Sequence, residues 1–345
     1  MCIRDRVRTI SCTPVKSQGR TGTCWSFATS SFLESEAIRN GKSSPDFSEM
    51  FVVRNVYKDK AQNYVLRQGK ANFSQGSLSH DLMRVVGKYG VIPETAYSGK
   101  EEDAARHDHS EMAAVLKGML DGVLKQKRPS LKWKDAFNSV VDVYLGETSN
   151  KFKHEGKTYT PESYAQEMGI NADDYVNITS FTHHPFYKRF ILEIPDNYSN
   201  GSFYNLPIED MQAIVENAVN NGYSVAWDGD VSEKGFDAKK GIAVVPVDEG
   251  RENLFEKPGK EKNITQQLRQ EQFETFHTTD DHLMHLTGIA KDNRGTKYFL
   301  IKNSWGEISP YKGYLYMSES YLKLKTVAIL VHKDAIPKNI ANKIF

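Results

Sequence analysis

The chain has 345 residues and a net charge of +1; hydrophobic residues make up 39% and charged ones 26%. That composition belongs to an ordinary globular chain with material for a sizeable core, in one large domain or two lobes. The near-zero charge gives no global drive toward nucleic acid or an anionic membrane, and no apolar run approaches the ~20 residues that span a bilayer.

The opening, "MCIRDR", is charged and lacks the apolar core of a secretory signal, and it reads as foreign to the native start. The expected compartment is therefore the cytoplasm, with export as the alternative if a native leader is missing. Cysteines stand at positions 2, 12 and 24 only. A sparse, odd count argues against a disulfide framework and fits a reducing compartment. No pair has CxxC spacing, so no structural zinc is expected. Cys12, in the strand-like "TISCTPV", reads as small and buried.

"PVKSQGRTGTCWSFAT", residues 14–29, brings a glycine-rich turn up to Cys24 and then a helix. Trp25, Ala28 and Phe32 are spaced by three and four, as are Leu33 and Ala37 by four; Gly41 and Pro45 supply the stop. A further helix is expected near Leu78 to Tyr89, closed by "GVIPETAYSG". Residues 101–170 read as helical, on one stripe through Met112, Leu116, Met119, Leu120 and Val123 and another through Phe137, Val141 and Tyr144. Thr160 followed by Pro161 reads as a helix start.

After about Tyr175 the texture changes to strands: "FYKRFILEI", "GYSVAWDGD" and "GIAVVPV", then "HLMHLTGIAKDNRGTKYFLIKN", in which two strand-like runs flank a turn at Asp292–Gly295. "GYLYMS" and "TVAILVHK" add two more. Helices first and strands later is the α+β pattern of two lobes packed face to face.

A thiol is a weak nucleophile and a thiolate a strong one; a helix N-terminus favours the anion, which makes Cys24 a natural thiolate site. Gly19 and Gly22 let the backbone turn sharply and leave N–H groups near the sulfur. With the Gln18 amide, these can hold an oxyanion. Of the ten histidines, His282 is the candidate base. It opens the strand that pairs back onto the run ending at Asn303, whose amide oxygen can orient an imidazole without adding charge. Trp305, two residues on, can cover that hydrogen bond and exclude water. His285 is expected on the opposite strand face, in a structural role.

"QGRTGTCWSFAT", "HLMHLTG" and "KNSWG" together resemble the papain-like cysteine peptidases. "GKYGVIPETAYSG", "YNLPIEDM", "DHLMHLTGIA" and "YKGYLYMSESY" narrow the resemblance to the bleomycin hydrolase and aminopeptidase C branch. The likeness is strong over residues 14–99 and from 276 onward, looser over 175–246, and least over 101–170. It implies an α+β, papain-like two-lobed fold, a helical lobe plus an antiparallel β-barrel-like lobe. Residues 1–100 would carry the nucleophile, 101–174 would form a helical insertion, and 175–345 would be the β-rich lobe with His and Asn. By position it implies Cys24 as nucleophile, His282 as base and acid, Asn303 as orienter and Gln18 as oxyanion donor. His282 lies 258 residues after Cys24 (282 − 24), a surplus over the roughly 130–150 of papain-like chains that an insertion accounts for. It also places Gln75 and Gly76 where the family carries two cleft glycines, with Gln75 a departure that either narrows the site or belongs to an ordinary turn in "SQGS".

The expected activity is peptide-bond hydrolysis through an acyl-enzyme, without cofactor or metal, and most specifically aminopeptidase action. Endopeptidase action is the alternative. In the resembling aminopeptidases a C-terminal tail blocks the cleft and holds the substrate amine; here the final "AIPKNIANKIF" is shorter than in the fuller relatives. Some relatives form rings with basic channels, so homo-oligomerisation is implied. Neither His277 nor the pair His183–His184 shows a metal-ligand set at useful spacing. "KQKRPSLKWK", residues 125–134, is read as a solvated helix junction in preference to a nucleic-acid patch. A non-catalytic protein on a peptidase scaffold is the rival from another class, and the intact Cys24, His282, Asn303 and Gln18 speak against it.

Overall fold

The computed structural model describes residues 3–43, 45–100 and 105–345, and the backbone alone for 3–6. Cys2 and the opening Met1 lie outside the described residues.

Thirteen strands and ten α-helices are described. The strands are β1 (Ile3–Thr9), β2 (Phe152–His154), β3 (Lys157–Tyr159), β4 (Tyr175–Thr179), β5 (Lys188–Ile191), β6 (Ser202–Asn205), β7 (Val225–Gly229), β8 (Phe236–Asp237), β9 (Ile242–Ala243), β10 (His282–Asp292), β11 (Lys297–Lys302), β12 (Tyr314–Ser318) and β13 (Thr326–His332). The helices are α1 (Cys24–Arg39), α2 (Glu49–Leu66), α3 (Ser79–Tyr89), α4 (Ser110–Leu124), α5 (Lys132–Leu145), α6 (Pro161–Glu167), α7 (Ile208–Asn220), α8 (Gln266–Glu274), α9 (Glu319–Lys325) and α10 (Lys338–Ile344).

Eleven strands form one sheet in the order β5-β6-β4-β13-β7-β10-β11-β12-β9-β8, with β1 added beside β10. Pairing is antiparallel except at β4–β6 and β9–β12. β10 is long because it serves three neighbours. Its first half pairs with β7, its second half with β1, and its other edge with β11. The turn after it closes as the sequence implies: Asp292 Oδ1 accepts from the N–H groups of Arg294 and Thr296, and Gly295 takes a φ of +82°.

One face of the sheet packs on α1, behind which α2 to α6 complete the same core, and the other face packs on α7, α9 and α10. Strand alternation decides which residue goes where. Ala226, Leu283, Ala328 and Leu330 join the helical-lobe cluster; Val225, Trp227, Met284, Leu286 and Ile329 join the opposite one. Helix α1 runs through the middle and is buried at every residue from Cys24 to Ala37. Gly41, at φ +82°, ends it after Asn40.

Three local findings differ from the sequence reading. Helix α2, capped by the Ser48 side chain on Phe51 N, has no counterpart in it. The segment expected to be helical throughout contains the β2–β3 hairpin, turned at Glu155–Gly156 with both φ values positive. Cys12 is half-buried rather than buried, lies beyond the end of β1, and has Sγ 3.0 Å from the Tyr314 hydroxyl. The basic run forms the exposed junction of α4 and α5.

Candidate active site

The segment before α1 is fixed by hydrogen bonds to both lobes. Ser17 bridges to Trp305, and the Gln18 N–H donates to the Ser304 carbonyl at 2.9 Å. Gly19, at φ +67°, lies so close to His107 that a Cβ there would stand 2.3 Å from its carbonyl oxygen, which is why glycine is needed. The Gly22 N–H donates to Gln75 Oε1 at 2.7 Å, and the Trp25 indole N–H donates to the Gln75 carbonyl at 3.0 Å. Gln75 therefore ties the turn to the helical lobe. The helix then starts at Cys24, whose side chain is buried.

His282 begins β10 opposite Gly229. Its Nε2 is 2.8 Å from Asn303 Oδ1, just past the end of β11. The Trp305 indole stacks on the imidazole, with centroids 4.5 Å apart and planes 27° off parallel, and Phe236 meets the indole edge-on. Asn303 Oδ1 also accepts from the Ser304 N–H at 2.7 Å. Gln18 uses its side-chain oxygen to accept from the Ser304 hydroxyl and one Nε2 hydrogen to donate to the Thr21 carbonyl, both at 2.7 Å. The second Nε2 hydrogen is not needed by either bond. Sequence reading missed Ser304, although it sits between two residues already singled out.

The thiol lies against the first residues of β10: the backbone N–H groups of Leu283 and Trp25 both favour its anion. Burial outweighs them. Burial first, with Asp280 and Asp228 adding the same sign, pushes the Cys24 thiol up to about 12. Burial likewise pushes His282 down to about 4, against the opposing pull of Asn303. Burial thus acts on the two groups in the same sense, against the charged form of each. Both shifts follow from the dryness of the cleft, which opposes the pull of the helix N-terminus on the thiol.

His285 does face the helical lobe, away from His282. Its Nδ1 is 2.9 Å from the Ser31 hydroxyl, which also accepts from Lys302 Nζ, and its ring meets Phe32 edge-on. With Lys16, which pairs with Asp46 and Glu49, these residues form a polar seam beneath α1.

Gly76 is crowded from the solvent side: a Cβ there would lie 1.8 Å from Asp196 Oδ2. Its carbonyl accepts from Lys60 Nζ. Asp196 is held by Asn72 Nδ2 at 2.7 Å and Ser74 Oγ at 3.3 Å. His183 and His184 are joined by Glu193, at 3.2 and 2.7 Å, a partner that spacing alone did not show. One ligand atom from each of the three residues lies within 4.8 Å of the others, a convergence that the sequence reading did not find.

A buried thiol at a helix start, packed against a strand whose first imidazole is oriented by an amide and roofed by an indole, defines a thiol-dependent hydrolase. The chain belongs to the papain family of cysteine proteases: residues 3–181 match the model described as "Papain family cysteine protease" and residues 135–344 that of the "Peptidase C1-like family". It is a cysteine-type peptidase. Among its relatives, Aminopeptidase G of Lactobacillus delbrueckii subsp. lactis is 23% identical over 94% of this chain and 82% of its own length. Aminopeptidase E of Lactobacillus helveticus is 24% identical over 92% and 81%. The crystal structure of PepW from Lactobacillus rhamnosis HN001 shares the fold, with a TM-score of 0.75 over 99% of this chain and 84% of that one at 18% identity. Among the described residues, no helix is long and apolar enough to cross a membrane.

Proposed function

We propose that the protein is a cysteine aminopeptidase in which Cys24 is the nucleophile, His282 the base and acid, Asn303 the orienter and Gln18 an oxyanion donor. The observation that carries this is the His282 Nε2–Asn303 Oδ1 contact of 2.8 Å beneath Trp305, beside a thiol that Leu283 N–H addresses. With Nε2 occupied by Asn303, Nδ1 is the nitrogen left for sulfur. The thiol proton passes to Nδ1 as sulfur attacks the substrate carbonyl. The oxyanion is met by the second Nε2 hydrogen of Gln18 and the N–H of Cys24, which lies outside the helical ladder. His282 then protonates the leaving amine. Water, deprotonated by the same ring, releases the acyl group.

Aminopeptidase action, rather than cleavage within chains, is supported by the names of the relatives and by Asp196. Its carboxylate covers the strip of backbone at Gly76 along which a longer acyl-side peptide would lie. The free thiols of Cys12 and Cys24 accord with a reducing, cytoplasmic setting. The test compares aminoacyl-coumarin amides with their N-acetylated forms. The free amines should be cleaved at least ~100-fold faster in kcat/KM, the scale of a lost buried charge contact. Equal rates would make the enzyme an endopeptidase.

A further inference from the structure

Three carboxylates converge on the acyl side of the thiol. On β7, alternation sends Ala226 into the helical-lobe cluster and Asp228 the same way. The Cα partners of Asp228 on the neighbouring strands, Leu283 and Ala328, belong to that cluster. Asp228 is thus a carboxylate in an apolar layer between the lobes, 3% exposed, and neither of its oxygens has a hydrogen-bond donor. Asp280 faces it at hydrogen-bonding distance, and Asp280 Oδ2 is buried and likewise without a donor. Asp196 approaches from the Gly76 side.

The neighbouring charges do not balance these three. Lys60 feels Asp196 and Asp280, but its ammonium is committed to the carbonyls of Ser74 and Gly76 and lies over the Tyr198 ring. Asp281 is served by donors of its own, Ser232 and Thr279. Burial pushes both facing carboxyls up, with repulsion from Asp280 adding to Asp228 and repulsion from Asp196 adding to Asp280, which reaches about 7; a shared proton on the pair is thereby favoured. A cation from outside would replace that proton.

The position of the cluster says which cation. Asp280 and Asp228 both act on the Cys24 sulfur, Asp280 lies two residues before His282, and Asp228 sits across from the Leu283 whose N–H faces the thiol. A cleft of about 460 Å³ opens there, lined by Asp196, Asp280, Thr279, Ile194, Phe273 and Phe276. An α-ammonium is one carbon away from the carbonyl that the thiol attacks. The side-chain charge of an earlier residue would require the backbone strip that Asp196 covers.

We propose that Asp280 and Asp228, with Asp196 opposite, receive the free α-ammonium of the peptide substrate and so fix cleavage after its first residue. The proposal rests on the aminopeptidase reading above, and the experiment separates the two.

Leucyl-coumarin amide, its deamino analogue 4-methylpentanoyl-coumarin amide, and acetyl-Lys-Leu-coumarin amide are compared on wild type, Asp280→Asn and the double variant Asp228→Asn/Asp280→Asn. Iodoacetamide labelling of Cys24 reports the integrity of the thiol site in each. The wild type should prefer the free amine, and the variants should lose roughly a hundredfold in kcat/KM on it, mainly through KM. Their rates on the deamino analogue should not fall by more than about threefold, and their labelling should be no slower than in wild type, because loss of either carboxylate lowers the thiol's pKa. As a second readout in wild type, leucinamide should protect Cys24 from iodoacetamide and N-acetyl-leucinamide should not. Variants that keep the wild-type preference for the amine would overturn the proposal while leaving the aminopeptidase reading intact. A wild type without that preference would overturn both. A wild type that favours the lysyl substrate, with the preference lost in Asp280→Asn, would assign the carboxylates to a basic side chain instead. Loss of labelling in a variant leaves the leucinamide comparison to decide, and failure of leucinamide to protect overturns the site.

Discussion

Replacing Gln18 with alanine tests whether the side chain that links the nucleophile loop to the β11 end takes part in the chemistry. Its amide already accepts from Ser304 Oγ and donates once to the Thr21 carbonyl, each at 2.7 Å, which leaves a single N–H for the oxyanion. Removing one such donor typically raises the barrier by about 3 kcal/mol. At 1.36 kcal/mol per decade that is a fall of about 150-fold in kcat, with KM nearly unchanged because the ground-state carbonyl is not held. The buried Ser304 hydroxyl also loses its acceptor, at a cost of about 1 kcal/mol in stability, or about 2 °C in Tm for a chain of this size. Ser304→Ala serves as the control: it removes the same hydrogen bond but keeps Nε2, so kcat should fall by no more than about tenfold. The assay is steady-state hydrolysis of an aminoacyl-coumarin amide alongside thermal melting. A kcat within tenfold of wild type, or a loss seen only in KM, would remove Gln18 from the oxyanion site.

Asn303→Ala leaves the imidazole held by Trp305 alone, and kcat should drop roughly a hundredfold, within the range for a misdirected general base; an unchanged kcat would show that stacking suffices. The pH profile of Cys24 alkylation by iodoacetamide reads the base directly. Burial holds His282 down to about 4, so the ring stays unprotonated as pH falls through the usual imidazole range and is charged only near its lowered value. The rate should therefore stay level to about pH 5 and then fall, and an acid limb at pH 6–7 would contradict the dry-cleft reasoning. Gly19→Ala and Gly41→Ala share the strain of a positive φ, about 1 kcal/mol. Only the first also meets a carbonyl oxygen at 2.3 Å, since nothing lies within 4 Å of the second. Urea unfolding should show Gly19→Ala as clearly the less stable, and equal losses would mean that the turn yields.

How much of this was legible in the sequence depended on how local the signal was. The β10–β11 hairpin carries its own turn chemistry at Asp292–Gly295, so pairing His282 with Asn303 could be read from spacing alone. Helix α1 announced itself through its stop at Gly41. Helix α2 did not, because its buried residues encircle it and include Arg54 and Lys60, leaving no apolar stripe. The strands of the β2–β3 hairpin are three residues each, too short for alternation to show. How far burial opposes ionisation of the thiol was not legible, because it depends on how dry the cleft is, which only the packed lobes determine. Asp228 reads as one acid in a strand until β7 is set beside β10, more than fifty residues later in the chain.

The separation of the two reacting groups along the polypeptide has a consequence for biosynthesis. The imidazole partner, the amide that aims it and the hydroxyl that steadies Gln18 are all translated 258 residues (282 − 24) or more after the sulfur. A nascent chain therefore carries an unassisted cysteine throughout that interval. Proteolytic competence arrives only when the segment bearing His282, Asn303 and Ser304 has docked, which guards the unfinished product and its neighbours against premature cleavage.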